Sequence, residues 1–388
     1  MKIAILHEML IKFWGAEKVV QSFLKTFPEA HLYTLIYDEK KVWNFFPKQK
    51  INKKCFNLKT QKIYNIFKKQ RLCLPYMALS VEQLDFSDYD IVLCSSSWFA
   101  HWAITKPETK FIVYYHSPAR YMWDWTFEFK KDLKLPFFIK PLFIYNLNKL
   151  LLKLRQWDYI ASKRNDITIA NSKNTASRIK KYYKKDSILL YPPVETNRFS
   201  QKINLEKINF KSLVKKYNFK KNDYYIIISA LTEFKKIDIA IKAFNSLTKQ
   251  KLIIIWDWNY KKELEKISQE NIKFIWKQYW DNLVWLVQNS LGLIFPWEED
   301  FWIVPIEVMA AWKPVFALAK WGLLETIIAW KTWDFFNNPE WNDFIKNFQT
   351  FHKNNLSWKY KQKNCQNQAK NFSEEIFKQK LKNIINWQ

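Results

Sequence analysis

The sequence predicts an α/β protein built from two doubly wound domains, each a mostly parallel sheet covered by helices. Three observations carry this reading. Short apolar runs of strand length alternate with amphipathic stretches of helix length through the first 190 or so of 388 residues. Regular structure then stops at Pro192-Pro193 and stays polar from Glu195 to Asp223. After that the same alternation restarts, and such βα alternation is the signature of a parallel sheet with helical crossovers. A chain of this length also has residues enough for two cores.

The elements follow in order. Lys2–Leu6 reads as a buried strand and Ala16–Thr26 as an amphipathic helix. Ile91–Cys94, Phe111–Tyr115 and Ile167–Ala170 read as further strands, the last running into a helix start at Asn171-Ser172, and Leu189–Tyr191 closes the series. In the second half Tyr224–Ser229, Leu252–Ile255, Ile272–Ile275, Leu291–Phe295 and Val315–Ala317 are expected strands. Ile237–Thr248, Pro305–Ala311 and Leu323–Ala329 are expected helices. The resulting division is 1–195 for the first domain, 196–371 for the second, and 372–388 for a terminal amphipathic helix packing back toward the first.

Composition adds an anomaly. The chain has 21 tryptophans and 3 glycines, whereas ordinary usage would give about 27 glycines at this length. Several tryptophans stand where backbone chemistry asks for glycine. In Ile255-Trp256-Asp257-Trp258-Asn259 they follow a strand-like run where a turn is expected, and in Ala311-Trp312-Lys313-Pro314 and Ala329-Trp330-Lys331-Thr332-Trp333 they end helical patterns. This is the pattern expected if UGA codons meaning glycine in the source lineage are read as tryptophan. The competing reading is a genuinely tryptophan-rich protein that stacks sugars or lies at a membrane interface. Trp123 and Trp157 sit inside amphipathic stretches with no turn signal and read as true tryptophans.

A net charge of +27 favours anionic partners, although lysine enrichment from AT-rich codons would produce it without function. Cys55, Cys73, Cys94 and Cys365 are scattered, which favours reduced thiols in a cytoplasmic protein and speaks against a zinc site. The first strand begins at once, leaving no room for a signal peptide. Leu135 to Leu154 is broken by Lys140, Lys149, Lys153 and two prolines, so it could lie on a membrane but not span one. The basic, apolar stretch Phe129 to Arg164 reads either as a face for anionic lipid or as helices packed inside the first domain with snorkelling lysines.

The strongest chemical signal is Pro296-Trp297-Glu298-Glu299-Asp300-Phe301-Trp302-Ile303-Val304-Pro305-Ile306-Glu307. A strand ends in proline, a loop carries acidic residues, and a helix then presents Glu307. In an open α/β sheet that loop lies at the carboxyl end of a strand, where ligands bind. Two carboxylates there can accept hydrogen bonds from sugar or ribose hydroxyls, although an acidic first helical turn would also suit the helix dipole.

Read with glycine at Trp297, Trp302 and Trp312, this segment resembles the E-x7-E motif of the family 4 retaining glycosyltransferases, P-x-EEDFGIVPxEAMAxGKPV. Further landmarks resemble the same family in the same order. Trp14-Gly15-Ala16-Glu17-Lys18-Val19-Val20 is similar to its GGAExVV opening, and His116-Ser117-Pro118-Ala119-Arg120-Tyr121-Met122-Trp123-Asp124 to its HSPxRYxWD run. Thr232 to Asp238 is similar to its phosphate-binding segment, and Trp321-Gly322-Leu323-Leu324-Glu325 to its GGxxE loop. The resemblance implies a GT-B fold, two Rossmann-like domains facing across a cleft. It also implies transfer from a nucleotide-diphospho-sugar with retention, with no cofactor and no divalent metal.

By this resemblance Lys235 neutralises the donor diphosphate as the nucleotide leaves. Glu307 holds the ribose hydroxyls, Glu299 lies near the transferred sugar, and His116 lies near the reacting centre. Two of these have plainer alternatives of their own: Lys235 as a solvated lysine beside Lys236, and His116 as a packed histidine. The loops at Trp14-Gly15 and Trp321-Gly322, together with Trp302, bring backbone N–H groups to phosphate, a task suited to residues without a Cβ and with positive φ. One departure is Ala230, where many members carry an arginine. Arg120 either compensates across the cleft or makes a surface salt bridge.

The reading favoured is a hexosyltransferase, with mannose from GDP-mannose as the donor by subgroup resemblance and UDP-sugars open. Its acceptor is a polysaccharide or lipid-linked glycan, at the inner face of the cell membrane. The alternative is a non-catalytic basic protein binding nucleic acid or membrane, which would not need Lys235, Glu299 and Glu307 together; the enzyme reading assigns no nucleic-acid partner.

Overall fold

A computed structural model describes residues 1–131, 136–201, 220–257, 261–276, 278, 280–298, 303–320, 333–357 and 362–386. The chain divides into two compact units, Met1–Tyr191 with Lys378–Gln388, and Pro192–Phe377. Each holds one six-stranded sheet whose described neighbours all pair in parallel.

In the first unit the strands are β1 (Ile3–Leu10), β2 (His31–Tyr37), β3 (Ile91–Ser96), β4 (Lys110–Tyr115), β5 (Ile167–Ala170) and β6 (Ile188–Leu189), in the order β2-β1-β3-β4-β5-β6. β1 is buried along almost its whole length, as expected for a parallel strand covered on both faces. The helix Gly15–Thr26 lays Val19, Val20 and Phe23 into the core, where the Phe23 ring meets Tyr114 edge-on at 5.9 Å. Full burial of such side chains contributes about 1.5–3 kcal/mol each. The terminal helix Glu374–Ile385 crosses into this unit, where the carbonyl of Ile385 accepts a hydrogen bond from Lys110 Nζ at 3.2 Å.

In the second unit β7 (Tyr224–Ala230), β8 (Lys251–Asp257), β9 (Ile272–Trp276), β10 (Gly292–Phe295), β11 (Val315–Leu318) and β12 (Trp333–Phe336) take the order β12-β11-β10-β7-β8-β9. The helix Trp341–Leu356 buries Phe344, Phe348 and Phe351 against Phe316, Phe336 and Tyr225 in a continuous aromatic core. Gly292 opens β10 at a close crossing. A Cβ there would lie 2.7 Å from the Pro314 carbonyl oxygen.

Three tryptophan positions depart from expectation. Trp256 does not follow β8 but belongs to it, paired with Ser229 and Trp276. Trp333 begins β12 rather than ending a helix. Trp14 precedes the first helix with φ −133° and ψ −154°, an extended geometry open to any residue, so positive φ does not call for glycine there. Trp312 is different: it follows the helix Ile303–Ala310 with φ 64°, in the left-handed region. Trp258, Trp330 and the expected helix Leu323–Ala329 lie outside the described residues.

Candidate functional site

Both sheets reverse their winding direction once, between β1 and β3 in the first and between β7 and β10 in the second. Crevices outside the carboxyl ends of such strands are the usual ligand sites of open α/β sheets. Of the described sequence-predicted residues, His116 lies beside the first of these places and Lys235 beside the second.

In the first unit the carboxyl ends of β1, β3 and β4 carry polar side chains into a buried setting. Register pairs His7 with Ser95, and His116 follows β4 with its N–H bonded to the Ser96 carbonyl at 2.9 Å. His7 Nδ1 lies 3.1 Å from both the Oγ and the carbonyl oxygen of Ser95, and Ser95 Oγ lies 2.8 Å from His116 Nε2. On the other side of His7, its Nε2 is 3.9 Å from Glu17 Oε1 and its Nδ1 is 3.7 Å from Glu8 Oε2. Burial opposes a charge on His7, but the Glu17 and Glu8 carboxylates outweigh it and raise its pKa. Burial, reinforced by the charge on His7, pushes His116 down to about 3. The two histidines are thus pushed in opposite directions, His7 toward the charged form and His116 toward the neutral one.

Glu17 also accepts the Trp14 N–H at 2.9 Å, which orders the entry to the helix Gly15–Thr26. The Trp14 ring is covered by Lys12 Nζ at 3.8 Å. Glu8 Oε1 accepts the Ser97 and Trp98 N–H groups, each at 2.7 Å, and the Ser96 hydroxyl at 3.1 Å, pinning the loop after β3. Arg120 lies 3.8 Å from Asp124 and stacks 5.4 Å from the centroid of Trp125; Asp124 also pairs with Arg178 at 3.0 Å.

In the second unit Lys235 ends the short turn Glu233–Lys235 after β7, with its N–H bonded to the Thr232 carbonyl at 3.0 Å. Only 7% of its surface is exposed. Its Nζ lies 4.9 Å from the centroid of Trp297, which is itself buried and packed on Phe295 at 3.7 Å after β10. Lys235 and the loop following β10 thus meet at the switch point of the second sheet. Glu298 pairs with Lys320 at 2.9 Å. Glu307 is buried on the helix Ile303–Ala310. Ala230 ends β7, so the position where an arginine was expected offers no side-chain charge. Glu299, Trp302, Trp321 and Gly322 lie outside the described residues.

Sequence reasoning passed over His7, Glu8 and Ser95 and gave Glu17 no role of its own. Their signal was available: polar residues at the carboxyl ends of otherwise apolar strands, in Ile5-Leu6-His7-Glu8 and Leu93-Cys94-Ser95-Ser96.

Residues 209–372 match the family model described as glycosyl transferases group 1. A curated relative, the alpha-1,3/1,6-mannosyltransferase ALG2 of Dictyostelium discoideum, is 26% identical over 57% of this chain, and the match spans 60% of the relative's length. Among solved structures, HepE of Anabaena in complex with UDP and glucose is similar over 100% of both chains with a TM-score of 0.72 and 15% identity. Sucrose-phosphate synthase of Thermosynechococcus elongatus is similar over 99% of this chain and 98% of that one, with a TM-score of 0.71 and 12% identity. The fold is that of the GT-B glycosyltransferases, and the matched family and relative are glycosyltransferases by name.

Proposed function

We propose that the chain transfers a hexose from a nucleotide-diphospho-sugar to a glycan or lipid-linked acceptor, with retention at the anomeric carbon and without a metal. The observation that carries this reading is the meeting of Lys235 with the loop after β10 at the switch point of the second sheet, inside the segment that matches glycosyl transferases group 1. A lysine there supplies fixed positive charge where a leaving diphosphate gathers negative charge, the chief electrostatic demand of the reaction. Glu307 and Glu299 supply the carboxylates for ribose and sugar hydroxyls. His116 is assigned to the reacting centre by the family resemblance. A mannosyl donor is supported by the curated relative's name, and UDP-sugars by the ligands of HepE.

The reading extends to the code and to the membrane. Trp14, Trp297, Trp302, Trp312 and Trp321 stand for glycines of the native enzyme. Trp297 over Lys235 and Trp14 under Lys12 are then rings in space that a donor requires. The enzyme works at the cytoplasmic face of the cell membrane, held there by the apolar, basic face of the helix Lys140–Ala161. No helix among the described residues is long and apolar enough to cross a membrane.

Nucleotide binding tests the role of these positions. Titration calorimetry with UDP and GDP is expected to show binding by the Trp14→Gly/Trp321→Gly variant and at least about tenfold weaker binding by the literal chain. Equal affinities in the two would overturn the assignment.

A further inference from the structure

His7, Ser95 and His116 form a chain of hydrogen bonds across three adjacent strand ends, and its direction can be worked out. The Ser95 carbonyl oxygen can only accept, so His7 Nδ1, 3.1 Å from it, must carry a proton and donate, with the Ser95 hydroxyl oxygen, also at 3.1 Å, as its second acceptor. The Ser95 hydroxyl keeps its single proton for another partner, and His116 Nε2 is the atom in reach at 2.8 Å. Nε2 of His116 then accepts, and the ring proton sits on Nδ1. In the opposite arrangement Ser95 Oγ would face two donors, and its own proton would have to point elsewhere.

We propose that Ser95 and His7, braced by Glu17, form a positioning relay that fixes His116 as its Nδ1–H tautomer. The histidine then offers a hydrogen-bond donor, not a lone pair, to an oxygen of the molecule bound at the end of β4. The direction of the His7 and His116 titrations agrees with this polarity. Around the relay, β1 contributes Glu8, the first helix Glu17, and β4 the Tyr114 ring at 5.2 Å from His116. Backbone bonds hold the receiving end: the His116 N–H donates to the Ser96 carbonyl, and its carbonyl accepts the Thr175 hydroxyl at 3.2 Å.

The assignment of His116 to the reacting centre rests on the proposed glycosyl transfer; the tautomer does not, and the two are separable. Histidine-selective 15N labelling gives signals from five residues, and loss of one set in His116→Gln identifies it. At neutral pH the full-length protein is expected to show His116 as a neutral imidazole with its proton on Nδ1, a pattern that 15N shifts distinguish from the Nε2–H form. Ser95→Ala is expected to move His116 toward the Nε2–H form, and Ser95→Thr, which keeps the hydroxyl, to restore Nδ1–H. Where a donor turns over, Ser95→Ala should lower kcat about tenfold or more with little change in KM. An Nε2–H tautomer in the unaltered protein, or a tautomer unchanged in Ser95→Ala, overturns the relay. Should the alanine variant fail to fold, loss of the Nδ1–H form in Ser95→Thr overturns it too. A fixed Nδ1–H tautomer with no turnover of any donor would instead count against the glycosyl-transfer reading and leave the relay standing.

Discussion

Trp312 shows most sharply what a single residue reveals. It holds a φ of 64° just past a helix, and its buried Nε1 has no hydrogen-bond partner among the described residues. Each is a cost: about 1 kcal/mol for a non-glycine residue in the left-handed region, and about 1–3 kcal/mol for an unpaired buried donor. Trp123 is the opposite case. Its Nε1 donates to Asp158 at 2.7 Å and its ring stacks on Tyr182 at 4.9 Å. Asp158, fully buried, also accepts from Trp102 and Tyr183, so this tryptophan belongs to a satisfied network. Trp312→Gly is therefore expected to raise stability by about 1 kcal/mol, and Trp123→Gly to lower it by about 3–5 kcal/mol. Denaturation midpoints read both, and a Trp312→Gly loss as large as that of Trp123→Gly would contradict the map of glycine positions. The sequence separated these two tryptophans by the turn signals beside Trp312, although Trp123 itself lies in a turn just before the helix Thr126–Lys131 and owes its place to its side-chain partners. It misjudged Trp256 because a strand can run two residues past its last isoleucine, as β8 does to Asp257.

At the scale of elements, the helix Lys140–Ala161 leaves much of its apolar surface uncovered. Leu151, Asp158 and Ala161 are buried, whereas Leu142, Leu150, Leu152 and Ile160 are exposed, as are Phe137 and Phe138 just before it. Phe137 has 87% of its surface exposed. Lysines 140, 149 and 153 share this stretch, the composition of a segment that rests in an anionic lipid interface. Binding to vesicles of phosphatidylglycerol and phosphatidylcholine is expected to fall at least about tenfold in Phe137→Ser/Phe138→Ser/Leu142→Ser. Equal binding by this variant and the unaltered chain would contradict the membrane role. Strand recognition shows the same dependence on setting. The two strands missing from the sequence reading, β2 and β12, both lie at sheet edges, and His31 and Thr34 in one and Asp334 in the other interrupt their apolar runs. Interior strands such as β3 and β4, apolar on both faces, were plain.

For the whole molecule, the alternation of strand and helix was enough to reach two parallel α/β units, because each crossover leaves its own periodicity in the chain. The approach of Lys235 to Trp297 in the loop after β10 was legible as well, since both lie in motifs of fixed spacing. The relay at the first sheet was not. His7, Ser95 and His116 are separated by 88 and 21 residues and meet only through strand order. Sequence spacing carries no trace of such a meeting. The central claim, transfer from a nucleotide-diphospho-sugar, is tested most directly by release of nucleoside diphosphate from UDP- and GDP-sugars by the chain carrying glycine at positions 14, 297, 302, 312 and 321. Release is expected from at least one donor, falling by about 10²–10³ in Lys235→Ala and in Glu299→Ala. No release from any donor, or release undiminished in both variants, would contradict the account.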